Sequence, residues 1–449
     1  MKENVLRVFT TARDTRERLQ EGERQQFAES KREQDKNLLV LYPDIRYQEI
    51  IGFGGGITEA AGYVWSRLGD ENRKRVLDAY YGKKGIGYTL CRSHIQSCDF
   101  CMGNYAYVSK EDDQLTDFNL ERDQKYLIPL IKQACITSGN QLKLIGSPWS
   151  PPAFMKDNKA MNGGGKLKLR YYDLWAKTIA RYVHEYRKMG IPVWGLTIQN
   201  EVNTRQNWES CVMTADEERQ FAVEYLRPAL KEVQASDVEL YFWDHSKESV
   251  LDRTIEFMYD KKEVEGIQGV AVHWYAGDHF DALRMVKERY PGLKLISTEA
   301  CVNNYTDNPS WEHAERYAHD VIGGLSNFLS AFIDWNIMLD ETGGPTHIHN
   351  FCNAPVIAHV DRDELEFRAS YYYLGHFSKF IRPGAVRIGS SCYTSDLETV
   401  AFLNKDGTIA VEILNRTDNK IPLSIKCGGR IADFISESHS MKTILFTAD

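Results

Sequence analysis

Short apolar runs alternate with longer segments of helical periodicity between about residues 50 and 380. Eight of these runs have the length and the β-branched and aromatic content of strands that are buried on both faces. They are residues 52–58, 87–95, 142–149, 193–201, 238–245, 267–275, 293–300 and 331–339. Parallel strands need long crossover connections, and helices supply them. A strand followed by a helix, repeated eight times, therefore predicts an α/β fold with a closed (β/α)8 barrel.

The segments between these runs carry apolar residues on one helical face. In residues 171–190 five large apolar side chains recur at spacings of three and four, and Gly190 follows them. These side chains are Trp175, Ile179, Tyr182, Val183 and Tyr186. Residues 214–233 open with Thr214 and Glu217, the spacing of a capping box that satisfies the first free N–H groups of a helix. Both segments are predicted to be helices outside the barrel.

The two chain ends have a different pattern. After residue 385 alternating runs are separated by turn residues, and Asp406-Gly407 between two such runs is a hairpin signal. Residues 5–10 have the composition of one more strand of the same sheet. Residues 11–36 balance positive and negative charges with few apolar side chains, which favours a solvated loop or a surface helix over a binding tail.

Composition and charge narrow the class of protein. The chain has 449 residues, of which 43% are hydrophobic and 26% are charged, as is typical of globular proteins. The net charge is −8 and no basic face is clustered, which argues against a nucleic-acid partner. The N-terminal segment lacks the apolar core of a signal peptide, and no later run has the length that a bilayer requires. We therefore expect a cytoplasmic protein without stable membrane insertion.

The cysteines and histidines do not suggest a metal centre. Nine cysteines are scattered along the chain, and Cys98 with Cys101 is the only C-x-x-C pair. Because no second pair accompanies it and no nearby histidine is assigned as a ligand, we expect reduced, mostly buried thiols. His347 and His349 are interpreted as histidines of a solvated loop. The glycine-rich run at 52–58 lacks the lysine of a phosphate-binding loop, so we predict neither a metal nor another cofactor.

Two of the predicted strands finish in a glutamate. Glu201 ends the fourth run and Glu299 ends the seventh. The carboxyl ends of barrel strands open into one bowl, and the fourth and seventh strands lie across its mouth. Two carboxylates about 5–5.5 Å apart are what a retaining glycosidase needs. A single glutamate at a strand end is more often solvated or ion-paired, so it is the placement of both that predicts glycoside chemistry.

The surroundings of these glutamates supply further candidates. We expect burial and the neighbouring negative charge to raise the pKa of the acid, while Arg92 at the end of the second strand keeps Glu299 ionised. Indole rings that can cover a sugar face lie at or just past strand ends, at Trp149, Trp208, Trp274 and Trp335, although tryptophans in apolar runs are usually core. Groups that can bond sugar hydroxyls are Asp99, Asn200, His273, Tyr275 and Asn350. Asn200 is placed to hold the 2-hydroxyl.

Longer motifs resemble one known family. They are GFGGGITEAAG, SCDF, SPWSPPAFMK, LTIQNE, VAVHWY, STEAC, WNIMLDETGGP and YYYLGHFSKFIRPGA, in order between about residues 47 and 446. Together they are similar to glycoside hydrolase family 30, most of all to its glucosylceramidase (acid β-glucosidase) branch. The resemblance implies a (β/α)8 TIM barrel joined to a β-sandwich-like side domain built from both chain ends. It assigns residues 49–380 to the catalytic barrel, and residues 1–48 and 381–449 to the side domain.

The resemblance also implies roles for single residues. Glu201 in QNE matches the acid/base, and Glu299 in STEA matches the nucleophile, of a retaining enzyme that acts on β-glycosides. Tyr275 in HWY matches a residue beside the nucleophile, and Arg92 matches an arginine behind it. The positions that match the lining of the glycone subsite are Asp99, Trp149, Asn200, Trp335 and Asn350.

Some positions depart from the family pattern. Val202 stands where many relatives have proline, Phe154 stands where tryptophan is frequent, and the segment after QNEVN is shorter than in lysosomal members. The N-terminal cysteine pairs of the secreted relatives are absent. We therefore predict a retaining β-glycosidase of terminal β-D-glucosides, glucosylceramidase-like but without ceramide assigned as the leaving group. The alternatives are a β-xylosidase, a β-fucosidase or a β-1,6-glucanase with the same site, or a sugar-binding barrel without activity. The oligomeric state stays open.

Overall fold

The computed structural model describes residues 5–29, 37–259, 261–303 and 311–447. Eight parallel strands in this part of the chain form a barrel. They are β1 (Gly52–Gly56), β2 (Leu90–Ile95), β3 (Lys143–Pro148), β4 (Val193–Thr197), β5 (Glu239–Ser246), β6 (Gly269–His273), β7 (Lys294–Glu299) and β8 (Leu329–Asn336). Each strand pairs with the next along the chain, and β8 pairs with β1 to close the ring. Each overlaps one of the eight predicted runs, so the barrel prediction is confirmed.

The connections between the barrel strands, together with the segment after β8, carry the helices. They are Glu59–Arg67, Asp70–Tyr81, Glu121–Lys125, Leu127–Thr137, Tyr172–Lys188, Ala215–Gln220, Arg227–Glu232, Val250–Met258, Phe280–Arg289, Trp311–Ser326 and Ala369–Phe380, with a π-helical segment at Phe221–Leu226 and 3-10 turns at Ala153–Met155, Leu169–Tyr171, Lys247–Ser249 and Val360–Arg362. The five apolar side chains predicted for residues 171–190 are buried on one face. Thr214 and Glu217 form the predicted capping box. Among the described helices, none combines the length and apolar character needed to cross a bilayer.

Both chain ends contribute to a second sheet. Eleven strands of the described chain take part, namely Val5–Ala12, Gln20–Glu21, Gln25–Gln26, Ala28–Glu29, Leu38–Glu49, Val386–Cys392, Leu397–Leu403, Thr408–Asn415, Ile421–Cys427, Arg430–Ser436 and Ser440–Thr447. Val5–Ala12 pairs antiparallel with Ser440–Thr447, and Asp406-Gly407 joins the predicted hairpin. A small sheet after β8 contains Met338–Asp340, Val356–His359 and Glu364–Phe367. The side domain is therefore built from both ends of the chain, as predicted.

Residues 11–29 differ from the prediction of a solvated loop or surface helix. Short strands at 20–21, 25–26 and 28–29 add to the edges of the side sheet. Phe27 is 6% exposed and packs into the core of that sheet. A few isolated apolar residues among balanced charges give no periodic signal, so tertiary contact decides this structure. Residues 30–36 of the predicted segment lie outside the described residues.

Candidate active site

The apolar run of β4 is followed by an amide and a carboxylate, Asn200 and Glu201, because the chain leaves the barrel strand and turns there. The strand ends at Thr197, four residues earlier than predicted, and the chain turns so that Glu201 has a left-handed φ of 48°. The turn is tied to both neighbouring strands, because Asn200 N–H donates to Pro148 O at 2.8 Å and Glu201 N–H donates to Asp244 O at 2.9 Å. A backbone held in this region costs free energy that the surrounding bonds must offset. The result is a carboxylate aimed into the bowl of the barrel.

Glu299 is the last residue of β7 and is held by two donors. Arg92 Nη1 donates to Glu299 Oε2 at 2.5 Å, and Tyr275 Oη donates to Glu299 Oε1 at 2.8 Å. Arg92 is fully buried, so its charge acts through a medium that screens it less than water does. Glu299 therefore accepts one hydrogen bond from a charged guanidinium and one from a hydroxyl. The predicted neighbours of Glu299 are therefore both in contact with it.

The two glutamates face one another across the barrel mouth. One carboxylate oxygen of Glu201, one of Glu299 and a ring nitrogen of His273 all lie within 4.8 Å of one another. Their side chains are 12% and 9% exposed, so both carboxylates are largely withdrawn from solvent. The separation by 98 positions in the sequence is closed by the barrel, as the strand order predicts.

Asp244 is a site residue that the sequence analysis missed. A bulge in β5 gives Trp243 and Asp244 left-handed φ angles of 76° and 45°, which turns the Asp244 carboxylate inward. Arg92 Nη2 donates to it at 2.8 Å, and hydroxyls of Thr197 and Thr298 donate at 2.6 and 2.5 Å. Burial alone would raise the pKa of Asp244, but the charge of Arg92 and the other donors hold it well below its usual range. Asp244 is therefore a permanent buried negative charge.

His273 lies behind Glu201 rather than in the sugar-binding position predicted for it. The ring is fully buried, with Nε2 3.0 Å from Asp244 Oδ1 and Nδ1 3.7 Å from Glu201 Oε1. Burial lowers the pKa of His273, but the carboxylates of Glu299, Asp244 and Glu201 together raise it to about 9. A strand-end histidine gave no sign of which side it faces. The structure turns it away from the cavity and makes it a charged neighbour of Glu201.

The pKa of Glu201 also differs from the expectation. We expected the acid to have a raised pKa, and burial does act in that direction. The charged ring of His273, whose Nδ1 lies 3.7 Å from Glu201 Oε1, outweighs burial and lowers the pKa of Glu201 below its ordinary value. Glu201 and His273 therefore lie side by side as a carboxylate and a charged ring.

A cavity of about 240 Å³ lies over the two glutamates. Seven further predicted site residues line it, namely Asp99, Trp149, Asn200, Trp208, Tyr275, Trp335 and Asn350. Phe100, which was not predicted, lies beside them. Residues that the sequence analysis did not assign also line it, namely Thr204, Gln206, His245, Ser246, Cys301, Asn303 and Cys352. Trp149 and Trp335 stack with ring centroids 5.2 Å apart, and Asn350 Nδ2 donates to Asp99 Oδ2 at 3.1 Å. The cavity therefore combines flat aromatic walls with paired polar groups.

Comparison with known proteins agrees with this geometry. The sequence profile of the glycosyl hydrolase family 30 TIM-barrel domain matches residues 50–381, well over half of the chain. The chain belongs to glycosyl hydrolase family 30. The profile of the β-sandwich domain of the same family matches residues 384–444. Family 30 membership makes a glycosidase acting on a small-molecule glycoside the general function of this chain.

Three similar proteins align with most of the chain. Lysosomal acid glucosylceramidase of Mus musculus is 33% identical over 408 residues, which is 86% of this chain and 79% of the relative. An endo-1,6-β-D-glucanase of Neurospora crassa is 27% identical over 411 residues, which is 86% of this chain and 82% of the relative. The crystal structure of SrfJ from Salmonella typhimurium has a TM-score of 0.96 at 38% identity, covering 99% of this chain and 100% of that chain.

Two features of the structure differ from the sequence predictions, namely the position of Trp274 and the surroundings of the Cys98–Cys101 pair. Trp274, predicted at the rim, is 2% exposed, donates its indole N–H to Cys301 O at 3.0 Å and packs against Tyr317. It is a core residue behind β7. The thiols of Cys98 and Cys101 are buried, as expected, but a histidine does lie nearby, since their sulfurs cluster with a nitrogen of His94 within 4.8 Å.

The hydrogen bonds of His94 decide how that cluster is interpreted. His94 Nδ1 lies 2.6 Å from Gln96 O, and Nε2 accepts the N–H of Glu59 at 3.0 Å. Both ring nitrogens are therefore occupied by the backbone, and a metal would have to displace one of these bonds. This geometry fits a neutral structural histidine better than a zinc ligand.

Proposed function

We propose that this chain is a retaining β-glycosidase that hydrolyses terminal β-D-glucosides through a covalent glycosyl-enzyme. The observation that carries the proposal is the approach of Glu201 and Glu299, since one carboxylate oxygen of each lies within 4.8 Å of the other. Retaining enzymes hold their carboxyl groups about 5–5.5 Å apart, whereas inverting enzymes need about 6.5–9.5 Å to admit a water between carboxylate and sugar. The short separation therefore supports direct attack by one carboxylate on the sugar.

The contacts of the two glutamates support different roles for them. Glu299, held in place by hydrogen bonds from Arg92 and Tyr275, attacks the anomeric carbon and forms an ester as the bond to the aglycone breaks. Glu201 gives a proton to the departing oxygen and then takes one from the water that hydrolyses the ester. The pKa of Glu201 is lowered, and the charged ring of His273, 3.7 Å from it, serves as the proton source for Glu201.

The walls of the cavity support a pyranose as the bound sugar. Arg92 Nη2 donates to Asn200 Oδ1 at 2.8 Å, which fixes the amide so that its NH2 group is free to face the sugar. We assign this donor to the 2-hydroxyl, whose hydrogen bond strengthens in the transition state. Asp99 and Asn350 form a second polar edge, and Trp149 and Trp335 supply the apolar face. Trp208 lines the same cavity and is assigned to substrate binding with them.

A β-1,6-glucan is the second candidate substrate. It is favoured by the similarity over 86% of this chain to a relative named as an endo-1,6-β-D-glucanase. The glucosylceramidase relative has the higher identity, 33% against 27%, which favours terminal glucosides. β-Xylosides lack C6 of a glucoside, whereas β-D-fucosides lack its 6-hydroxyl and have the opposite configuration at C4, so both test the contacts that the cavity makes with glucose.

A panel of chromogenic β-glycosides with a β-1,6-glucan and a fluorescent glucosylceramide separates these substrates. We expect turnover of glucosides, with the β-anomer seen first by NMR. Glu299→Ala should lower kcat by several orders of magnitude, and Glu201→Ala should recover part of its rate with a leaving group that needs no proton. Glu288→Gln, on the exposed face of its helix, is the matched control. An α-anomer formed first, or full activity without Glu299, would refute the mechanism, and turnover of xylosides alone would refute the substrate.

A further inference from the structure

Four buried cysteine sulfurs lie around the catalytic cavity in two pairs. Cys98 Sγ and Cys101 Sγ are 3.8 Å apart, and Cys301 Sγ and Cys352 Sγ are 3.6 Å apart. Of these four, Cys301 and Cys352 line the cavity. Neither of them takes part in the reaction proposed above. Two thiols facing a cavity open to small molecules are a potential modification site.

We propose that Cys301 and Cys352 are a redox modification site, in which a peroxide joins the two sulfurs into a disulfide that inactivates the glycosidase reversibly. The proposal rests on the proposed function only for its effect on activity. The covalent change itself is independent of which glycoside the enzyme hydrolyses.

The backbone already holds the two cysteines side by side. Asn353 N–H donates to Val302 O at 3.0 Å, and Asn303 forms an antiparallel bridge with Cys352. A disulfide has an S–S length of about 2.05 Å, so the sulfurs have to approach by about 1.5 Å. Neighbouring segments that are already hydrogen-bonded limit the backbone movement that this approach requires. The pair is therefore close to a bonding arrangement in the reduced protein.

The hydrogen bond between the thiols sets the order of the chemistry. Cys301 donates its S–H to Cys352 Sγ. This hydrogen bond, together with burial, raises the pKa of Cys301 well above its usual range, so we assign the first attack to Cys352, the acceptor of the bond. The Cys352 thiolate attacks one peroxide oxygen, the O–O bond breaks, and hydroxide leaves and becomes water by protonation. Cys352 is then a sulfenic acid.

The second step closes the disulfide. Cys301 sulfur attacks the Cys352 sulfur, the S–O bond breaks, and the departing oxygen leaves as water with the Cys301 proton. Two thiols and one hydrogen peroxide thus give one disulfide and two waters, with two electrons passing from the sulfurs to the peroxide. A dithiol reductant reverses the change by thiol–disulfide exchange.

The disulfide affects the reaction because of what the two cysteines adjoin. Cys301 follows Glu299 by two residues, and its sulfur lies 3.4 Å from Tyr275 Oη, the donor to Glu299. Cys352 follows Asn350, which lines the same cavity, by two residues. Drawing the sulfurs together moves both walls of the subsite. Since a misplacement of about 1 Å can cost about a hundredfold in rate, we expect at least about a tenfold loss of kcat/KM.

The other pair is an internal comparison for the same experiment. Cys98 and Cys101 are both fully buried, and Cys101 Sγ accepts the backbone N–H of Cys98 at 3.3 Å. Neither lines the catalytic cavity. A peroxide in the cavity meets Cys301 and Cys352 and not this pair, so Cys98 and Cys101 should remain reduced at a dose that oxidises Cys301 and Cys352.

The test is treatment of the full chain with hydrogen peroxide, followed by peptide mass mapping with differential alkylation and by activity measurement before and after dithiothreitol. We expect a Cys301–Cys352 disulfide, loss of activity in proportion to it, and recovery on reduction. Cys352→Ser should keep its own starting activity under peroxide, whereas Cys392→Ser, in the side sheet, should remain as sensitive as the parent.

Three results would overturn the proposal. They are a disulfide mapped to Cys98 and Cys101 instead, equal inactivation of Cys352→Ser, and a complete Cys301–Cys352 disulfide with unchanged activity. If the chain hydrolyses no glycoside at all, the mass map still reports whether the disulfide forms. Failure of the proposed function and failure of this inference are thereby distinguished.

Discussion

Tyr275→Phe removes one oxygen atom beside the proposed nucleophile. Its hydroxyl donates to Glu299 Oε1 at 2.8 Å in a partly buried position on the cavity wall. The phenylalanine ring keeps the volume and the aromatic contacts of the site. The substitution therefore tests a single hydrogen bond with little disturbance of packing.

The sign of the effect follows from the charge on Glu299. A hydrogen bond to a charged group contributes about 1.5–3 kcal/mol. In the first step Glu299 loses charge as it forms the ester, so this bond weakens and its loss costs little. In the second step Glu299 departs as a carboxylate, and Tyr275 stabilises the charge as it develops. Tyr275→Phe should therefore slow hydrolysis of the ester by about 10- to 100-fold and its formation much less.

Steady-state and rapid-mixing kinetics with an activated aryl β-glucoside separate the two steps. We expect a fall in kcat, a smaller fall in kcat/KM, a lower KM and a burst of released phenol as the ester accumulates. Tyr371→Phe is the matched control, because Tyr371 Oη donates to a backbone carbonyl, Ala79 O, at 2.8 Å and does not line the catalytic cavity. Equal losses in kcat and kcat/KM without a burst would refute the assignment of Tyr275.

Two predictions concern stability. Asp123 accepts hydrogen bonds from three buried hydroxyls, those of Tyr105, Tyr107 and Tyr186. Asp123→Leu leaves all three hydroxyls without this acceptor, so denaturant unfolding should show that the free energy of unfolding falls by about 3 kcal/mol or more. A fall of less than about 1 kcal/mol would contradict this account. The pKa of His319 is raised, first by its bond to Glu398 and also by Asp278. That stabilisation is present below the ordinary histidine pKa and disappears above the raised one, so His319→Gln should lower Tm at about pH 5.5 and not at about pH 9.5.

The barrel could be predicted because its strands are buried on both faces. Helices cover the outside and side chains fill the inside, so each strand appears in sequence as a short apolar run. The end of β4 could not be placed in the same way. Residues 198–201 continue a β-prone pattern, and the turn at Glu201 depends on bonds to Pro148 O and Asp244 O. Those partners come from other strands, and a local pattern carries no information about them.

The direction of individual side chains was the other limit. Alternation along a strand predicts which side each residue faces only while the strand is regular. The bulge at Trp243 and Asp244 breaks β5, and the pairing of β6 with β7 shifts between Val272 and His273. For this reason the sequence predicts His273 in the cavity although its ring lies behind it, and it assigns no role to Asp244. An aspartate directly after the apolar run of β5 was the signal available for it.

Asp244 connects the two proposed catalytic roles without lining the cavity. Its carboxylate shares Arg92 with Glu299 and lies beside His273, which in turn lies 3.7 Å from Glu201. A negative charge here draws part of the charge of Arg92 away from Glu299 and favours the protonated form of His273. One buried carboxylate therefore contacts the cation beside each glutamate, since it shares Arg92 with Glu299 and favours the charged His273 that lowers the pKa of Glu201. The bulge of β5 places Asp244 between these two cations, which gives the two glutamates different electrostatic surroundings.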